Sequence, residues 1–435
     1  MKRVAILLVA IATLGACSRT EKWTEQATPS EGSSTEVTTS SGSAVPSAAV
    51  SSEGLGTVAR VAAGDMIEKF QCARCHEVPQ TGVAERDKHC FTCHQQIHDG
   101  TFDAKPETLV KWRGRIQSLR HAPSLAHADR LQRAWVKRFL LHPHDVRPGS
   151  IAEMPRLAIS DAEADRLATF LVPVEDAAPI DTAPALVARG EKLYRDLACG
   201  RCHRFTGAAV DDAALHAGGR VADPPPPAIE TDPARRSLAI AWTLAPDLRF
   251  ARDRVQPAQL AAWIEAPRGA MPKLSISRDD ARALAAFLVA TPVVARSNHV
   301  VPKRLPILER EVPWAEVSAR VFHDTCWHCH AVPDFAHGDG GPGNSGGFGF
   351  APRGLDLSSY TGISQGAFDR GSERRSIFEK LPDGTPRVVA HLMARHVEAA
   401  GGSVDGIRGM PLGIPALTLE QIQLVDTWIA QGRPQ

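Results

Sequence analysis

Apolar residues fall at helical spacing directly after a polar cap at three places along the chain. After Ser277, the residues Ala281, Leu284, Phe287 and Leu288 lie at i, i+3, i+6 and i+7, one face of a helix. Ser277 suits the N-cap, and Asp280 places an acid in the first turn, where the helix dipole favours it. Ser160-Asp-Ala-Glu163 is a capping box that opens a second such helix. Thr418-Leu-Glu-Gln421 starts a third, which carries Ile422, Val425, Trp428 and Ile429 at the same spacing. There are only two Tyr and no long alternating stretches, which argues against an all-β fold. The pattern predicts an all-α protein of short helices.

The three helices close a repeated order of parts. In the middle copy Gly190-Glu-Lys-Leu193-Tyr194 comes first, then Ala245-Pro246, then Leu260-Ala-Ala-Trp263-Ile264, then Met271-Pro272. The first copy has Gly64 to Phe70, Ala122-Pro123, a Trp135 to Leu141 helix and Met154-Pro155. The last has Ala351-Pro352 and Met410-Pro411. Pro-rich linkers, Pro173 to Pro184 and Thr291 to Pro306, separate the copies. The expected domains are therefore 61–175, 185–292 and 307–435.

Ahead of them, Lys2 and Arg3 precede an apolar run from Val4 to Leu14, too short to span a bilayer and arranged as a signal peptide over 1–16. Leu14-Gly15-Ala16-Cys17 resembles a bacterial lipobox, which implies that Cys17 is acylated as the first mature residue. Each buried CH2 of an acyl chain contributes about 0.8 kcal/mol, so several chains on one residue anchor stably. That resemblance implies a bacterial cell-envelope location, lipid-anchored and either periplasm-facing or on the outer membrane. The rest of 17–60 is rich in Ser, Thr, Glu, Ala and Gly and reads as a flexible tether spanning roughly 35–40 Å. Lys plus Arg total 50 against 49 acids, a balance that gives no case for nucleic acid.

The chemistry lies in the cysteines. Cys-x-x-Cys-His occurs four times: Cys72, Cys75 and His76; Cys90, Cys93 and His94; Cys199, Cys202 and His203; and Cys326, Cys329 and His330. At this spacing two thiols form thioethers to the haem vinyl groups and the following imidazole becomes the proximal iron ligand. Zinc and redox sites also use Cys-x-x-Cys, but neither requires a His after the second Cys in every copy. The chain resembles a multihaem c-type cytochrome, and the order of parts over residues 60 to 435 resembles class I cytochrome c. The resemblance implies four covalently bound haem c groups on three cytochrome c-like domains, the first holding two.

It also implies a Met sixth ligand on the loop before the closing helix, where a soft thioether favours the reduced iron. Met154, Met271 and Met410 occupy that place. In the middle copy His203 pairs with Met271, and in the last His330 pairs with Met410, with His323, His391 and His396 as rivals. In the first copy Met154 pairs with His76 or with His94; the helix leading into Cys72 points to His76, and the separation points to His94. The remaining haem would take a histidine, with His121 foremost and His89, His98, His127, His142 and His144 as others. A relay of single electrons between donor and acceptor proteins is the function implied, with the membrane reached through the N-terminal lipid. The alternative is a peroxidase-like or small-molecule-reducing enzyme with one open iron in the first domain. The Gly-rich run 338–349 lacks the Lys and Ser/Thr of a phosphate cradle.

Overall fold

The computed structural model describes residues 64–78, 90–113, 116, 121–147, 153–175, 178–212, 241, 244–268, 271–294, 300–327, 329–331, 354–369 and 373–435. All of them belong to one unit, Ser51–Gln435. The signal segment, Cys17, the tether and His89 lie outside the described residues. The described structure is helical. Its one sheet is a two-residue antiparallel pair, Ala367–Phe368 with Arg374–Arg375. Among the described residues no helix is long and apolar enough to cross a membrane.

Apolar side chains gather into three buried clusters. The first takes Met66, Ile67 and Phe70 with Trp135, Val136, Leu140, Leu167 and Val172. The middle one takes Tyr194, Phe205, Leu260, Ile264, Leu284 and Phe287. The last centres on the fully buried Trp428, with Val317, Phe322, Ile363, Val389 and Val425 around it.

The closing helices are Asp161–Leu171, Arg278–Ala290 and Leu419–Ala430, and each opens with a complete capping box: Ser160 with Glu163, Ser277 with Asp280, Thr418 with Gln421. Each third-position side chain also reaches the helical segment that leads into a haem motif. Lys69 Nζ lies 2.5 Å from Glu163, Arg189 2.6 Å from Asp280, and Gln421 Nε2 donates to the Arg320 carbonyl at 3.1 Å. One side chain thus caps the closing helix and fixes its crossing with the leading segment.

In the middle copy that crossing joins Pro184–Asp196 to Arg278–Ala290. It needs Gly190, because a Cβ there would enter the Ala283 carbonyl and stand 2.7 Å from the Phe287 Cβ. Gly64 has no such role, since a Cβ there would meet nothing within 4 Å. The last copy also departs from the pattern. Trp314–Val317 is α-helical but runs on as a π-helix, Ser318–Cys326.

Candidate haem sites

The first and third Cys-x-x-Cys-His motifs adopt the same backbone. The residue before each leading Cys is left-handed, Gln71 at φ 53° and Ala198 at φ 54°, and ends the preceding helix. Cys72–Arg74 and Cys199–Arg201 then form one 3-10 turn each. The histidine N–H groups return to the first Cys: His76 to the Cys72 carbonyl at 2.9 Å and His203 to the Cys199 carbonyl at 3.0 Å. This turn holds two cysteines and a histidine within one short loop.

The Ala-Pro loops face these histidines. His76 Nδ1 lies 2.8 Å from the Pro123 carbonyl, and His203 Nδ1 lies 2.9 Å from the Pro246 carbonyl. A carbonyl oxygen only accepts, so Nδ1 carries the proton and the ring's lone pair sits on Nε2, the nitrogen a metal would take. The loops are held in parallel too, with Leu125 N–H donating to Glu77 and Leu248 N–H to Arg204, at 2.8 and 2.9 Å.

The fourth motif shares only part of this. His330 N–H donates to the Cys326 carbonyl at 2.8 Å, and Leu357 N–H donates to the His330 carbonyl at 2.7 Å. His330 Nδ1 is buried and makes no hydrogen bond of ordinary geometry among the described residues, although the Leu355 backbone acts on the ring. Burial lowers this ring's pKa, against a weaker pull from the Leu355 backbone. Pro352, which stands where Pro123 and Pro246 stand in the other copies, lies outside the described residues.

The second motif is different in kind. Cys90, Cys93 and His94 lie in the regular helix Cys90–Asp99, with no left-handed residue or 3-10 turn among its described residues. His121 comes to this helix, its Nδ1 3.1 Å from Gln95 Nε2. Among the other candidates, His98 faces Asp99 at 3.6 Å, and His127 and His142 are exposed. His144 packs edge-on against Trp135 and Phe139 and at a tilt against Phe250.

Met154 packs on the cluster that holds Cys72, and Met410 on the cluster that holds Cys326. Each of these Met loops has its own brace. Glu153 reaches Arg147, which Asp145 also grips. Burial works against the Arg147 charge, but the hydrogen bonds it donates to Asp145 and Glu153, with their negative charges, outweigh it and its pKa rises. At the other loop Glu398 accepts from Gly409 N–H at 2.7 Å and pairs with Arg395 at 3.5 Å. Both members of this pair are buried, at 6% and 2% exposure. Met271 is half-buried, and residues 273–276 beyond it line an open depression with Glu265 and Ala266.

Two of the rival histidines also hold the last Met loop. His391 Nδ1 meets the Arg408 carbonyl at 2.6 Å, and the His391 carbonyl accepts from Met410 N–H at 2.9 Å. His396 spends Nε2 on the Leu417 carbonyl at 2.9 Å, which leaves its lone pair on Nδ1. His323 stacks edge-on against Trp327 at 4.4 Å.

The donor set fits haem. Desolvation pushes the Cys72 and Cys199 thiols up to about 11 and Cys326 up to about 12. Positions that penalise a thiolate in this way suit a neutral thioether sulfur. The His76 and His203 imidazoles offer Nε2 in the required tautomer. None of the proline carbonyls, left-handed residues or ion-pair braces is evident from motif spacing alone. The one signal in the sequence is that Ala-Pro recurs at a similar distance after His76 and His203.

Residues 185–288 match the family described as cytochrome c oxidase, cbb3-type, subunit III. No curated protein and no solved structure matches the chain. The matched segment contains Cys199, Cys202, His203, Pro246 and Met271, so it is a c-type cytochrome domain and implies covalently bound haem c.

Proposed function

Proceeding from the cytochrome c domain at 185–288, we propose that the chain is a membrane-anchored tetrahaem cytochrome. In this reading it relays electrons between redox partner proteins in the cell envelope, and three tandem domains, 61–175, 185–292 and 307–435, carry the haems. Haem would supply a one-electron couple at each site. The chain's residues would hold the iron, exclude water and set each potential through ligand identity and burial.

The observation that carries the reading is the shared construction around His76 and His203. Identical turns, identical carbonyl partners and equivalent loops support a class I-like site in the first copy, with Met154 as its second axial ligand. His330 with Met410 forms the third such site in this reading, and His94 with His121 the fourth haem. The lipobox at Cys17 supports attachment to a membrane by lipid, and the tether supports a haem body that searches for partners while anchored.

A spectroelectrochemical titration followed by low-temperature magnetic circular dichroism tests this assignment. Three His/Met haems and one bis-His haem of lower potential are expected. A high-spin, five-coordinate haem in the pure protein would move the reading to an enzyme. Rapid peroxide turnover abolished by changing His94 would place the open iron in the first domain.

A further inference from the structure

The first and middle copies are joined by a reciprocal contact that no haem motif calls for. Gln132 N–H donates to the Arg254 carbonyl and Gln256 N–H donates to the Arg130 carbonyl, both at 2.9 Å. Between them Leu131 and Val255 pair as an antiparallel bridge. The glutamine side chains repeat the exchange. Gln132 Nε2 donates to Arg252 and Val255 carbonyls at 2.6 and 3.0 Å. Gln256 Nε2 donates to Asp129, Leu131 and Val174 carbonyls at 2.7, 3.0 and 3.3 Å.

Each copy also lends an arginine to the other's aromatic ring. Arg130 lies over Trp263 at 4.5 Å, and Arg254 lies over Trp135 at 5.3 Å. A further backbone bond runs from Asp247 N–H to the Val146 carbonyl at 2.7 Å. The contact is a local two-fold clasp, with the same residue types given and received on both sides. Gln256 is buried at 2% exposure, so its amide is a committed partner and no surface ornament.

The clasp's position gives it meaning. It is built from the chain that follows each Ala-Pro loop: Pro123 to Gln132 on one side and Pro246 to Gln256 on the other. Those prolines are the carbonyl partners of His76 and His203. The clasp therefore locks together the loops that orient the two histidines.

We propose that the first and middle copies form one fixed two-haem body, and that the clasp sets the spacing for direct electron exchange between the His76 and His203 sites. The inference rests on the reading of both as haem ligands. With haem held by His76 and His203, the exchange would pass one electron from the reduced site to the oxidised one, with no bond made or broken. Because both sites are fixed, the exchange needs no search by a tethered domain.

The test uses the full haem-loaded chain with a protease site placed between Glu175 and Ala183. After cleavage the two fragments are expected to elute as one particle. The double variant Gln132→Ala, Gln256→Ala is expected to release them. Should that variant fail to fold, the unaltered chain still decides. Its flash-initiated electron exchange is expected to be unchanged when solvent viscosity is raised severalfold, whereas tethered domains would slow in proportion. Fragments that separate without mutation, or exchange that slows with viscosity, would overturn the proposal. Haem staining of each fragment separates the two failures. Separated fragments that both carry haem sink the clasp alone. Joined fragments of which the first lacks haem sink the electron-transfer reading on which it rests.

Discussion

At the scale of single residues, the candidate sites rest on groups that brace the motif histidines and the Met loops. Gly409 shows this best. Its N–H donates to Glu398, and a Cβ there would stand 2.7 Å from the Arg395 Cα. Gly409→Ala should cost about 1–3 kcal/mol, because backbone and a buried ion pair must both move. Calorimetry would read that loss. If Met410 binds iron, the near-infrared charge-transfer band of thioether-bound ferric haem should weaken in the same variant. The four Cys-x-x-Cys-His motifs are legible in the sequence because their spacing is local, and the family match covers the one at Cys199, Cys202 and His203. Pro123 and Pro246 could not be read as carbonyl partners. They meet their histidines 47 and 43 residues away, and only the fold sets that distance.

At the scale of elements, the closing helices were legible because capping is local chemistry. Ser277→Ala should destabilise by about 1 kcal/mol, the usual cost of losing an N-cap, seen as a lower thermal midpoint. Glu163 adds a pH dependence to the first copy. The hydrogen bond from Lys69, then those from the Ser160 backbone and hydroxyl, hold its carboxyl at about 2 in place of its ordinary 4.5. Its folded pKa is depressed, so its contribution is complete above about 4.5 and is lost as pH falls through about 2. Glu163→Gln keeps the cap and removes the charge. The midpoint difference between the two proteins should be constant above pH 4.5 and vanish toward pH 2, and added salt should shrink it. The π-helix Ser318–Cys326 was not legible, because nothing in its local sequence opposes an ordinary helix.

At the scale of the whole molecule, the described residues hold three apolar clusters, around Trp135, Phe287 and Trp428. The family match covers only the middle one. The clasp between the first two was invisible in sequence, because Arg130-Leu131-Gln132 and Arg254-Val255-Gln256, one apolar residue between two polar ones, carry no local signal that they face each other. The central claim is that all four motifs carry haem. Intact mass spectrometry of the purified full chain, with a pyridine haemochrome assay on the same sample, counts covalent haem per chain. Four haems are expected. A single haem, located by proteolysis within residues 185–288, would contradict the account.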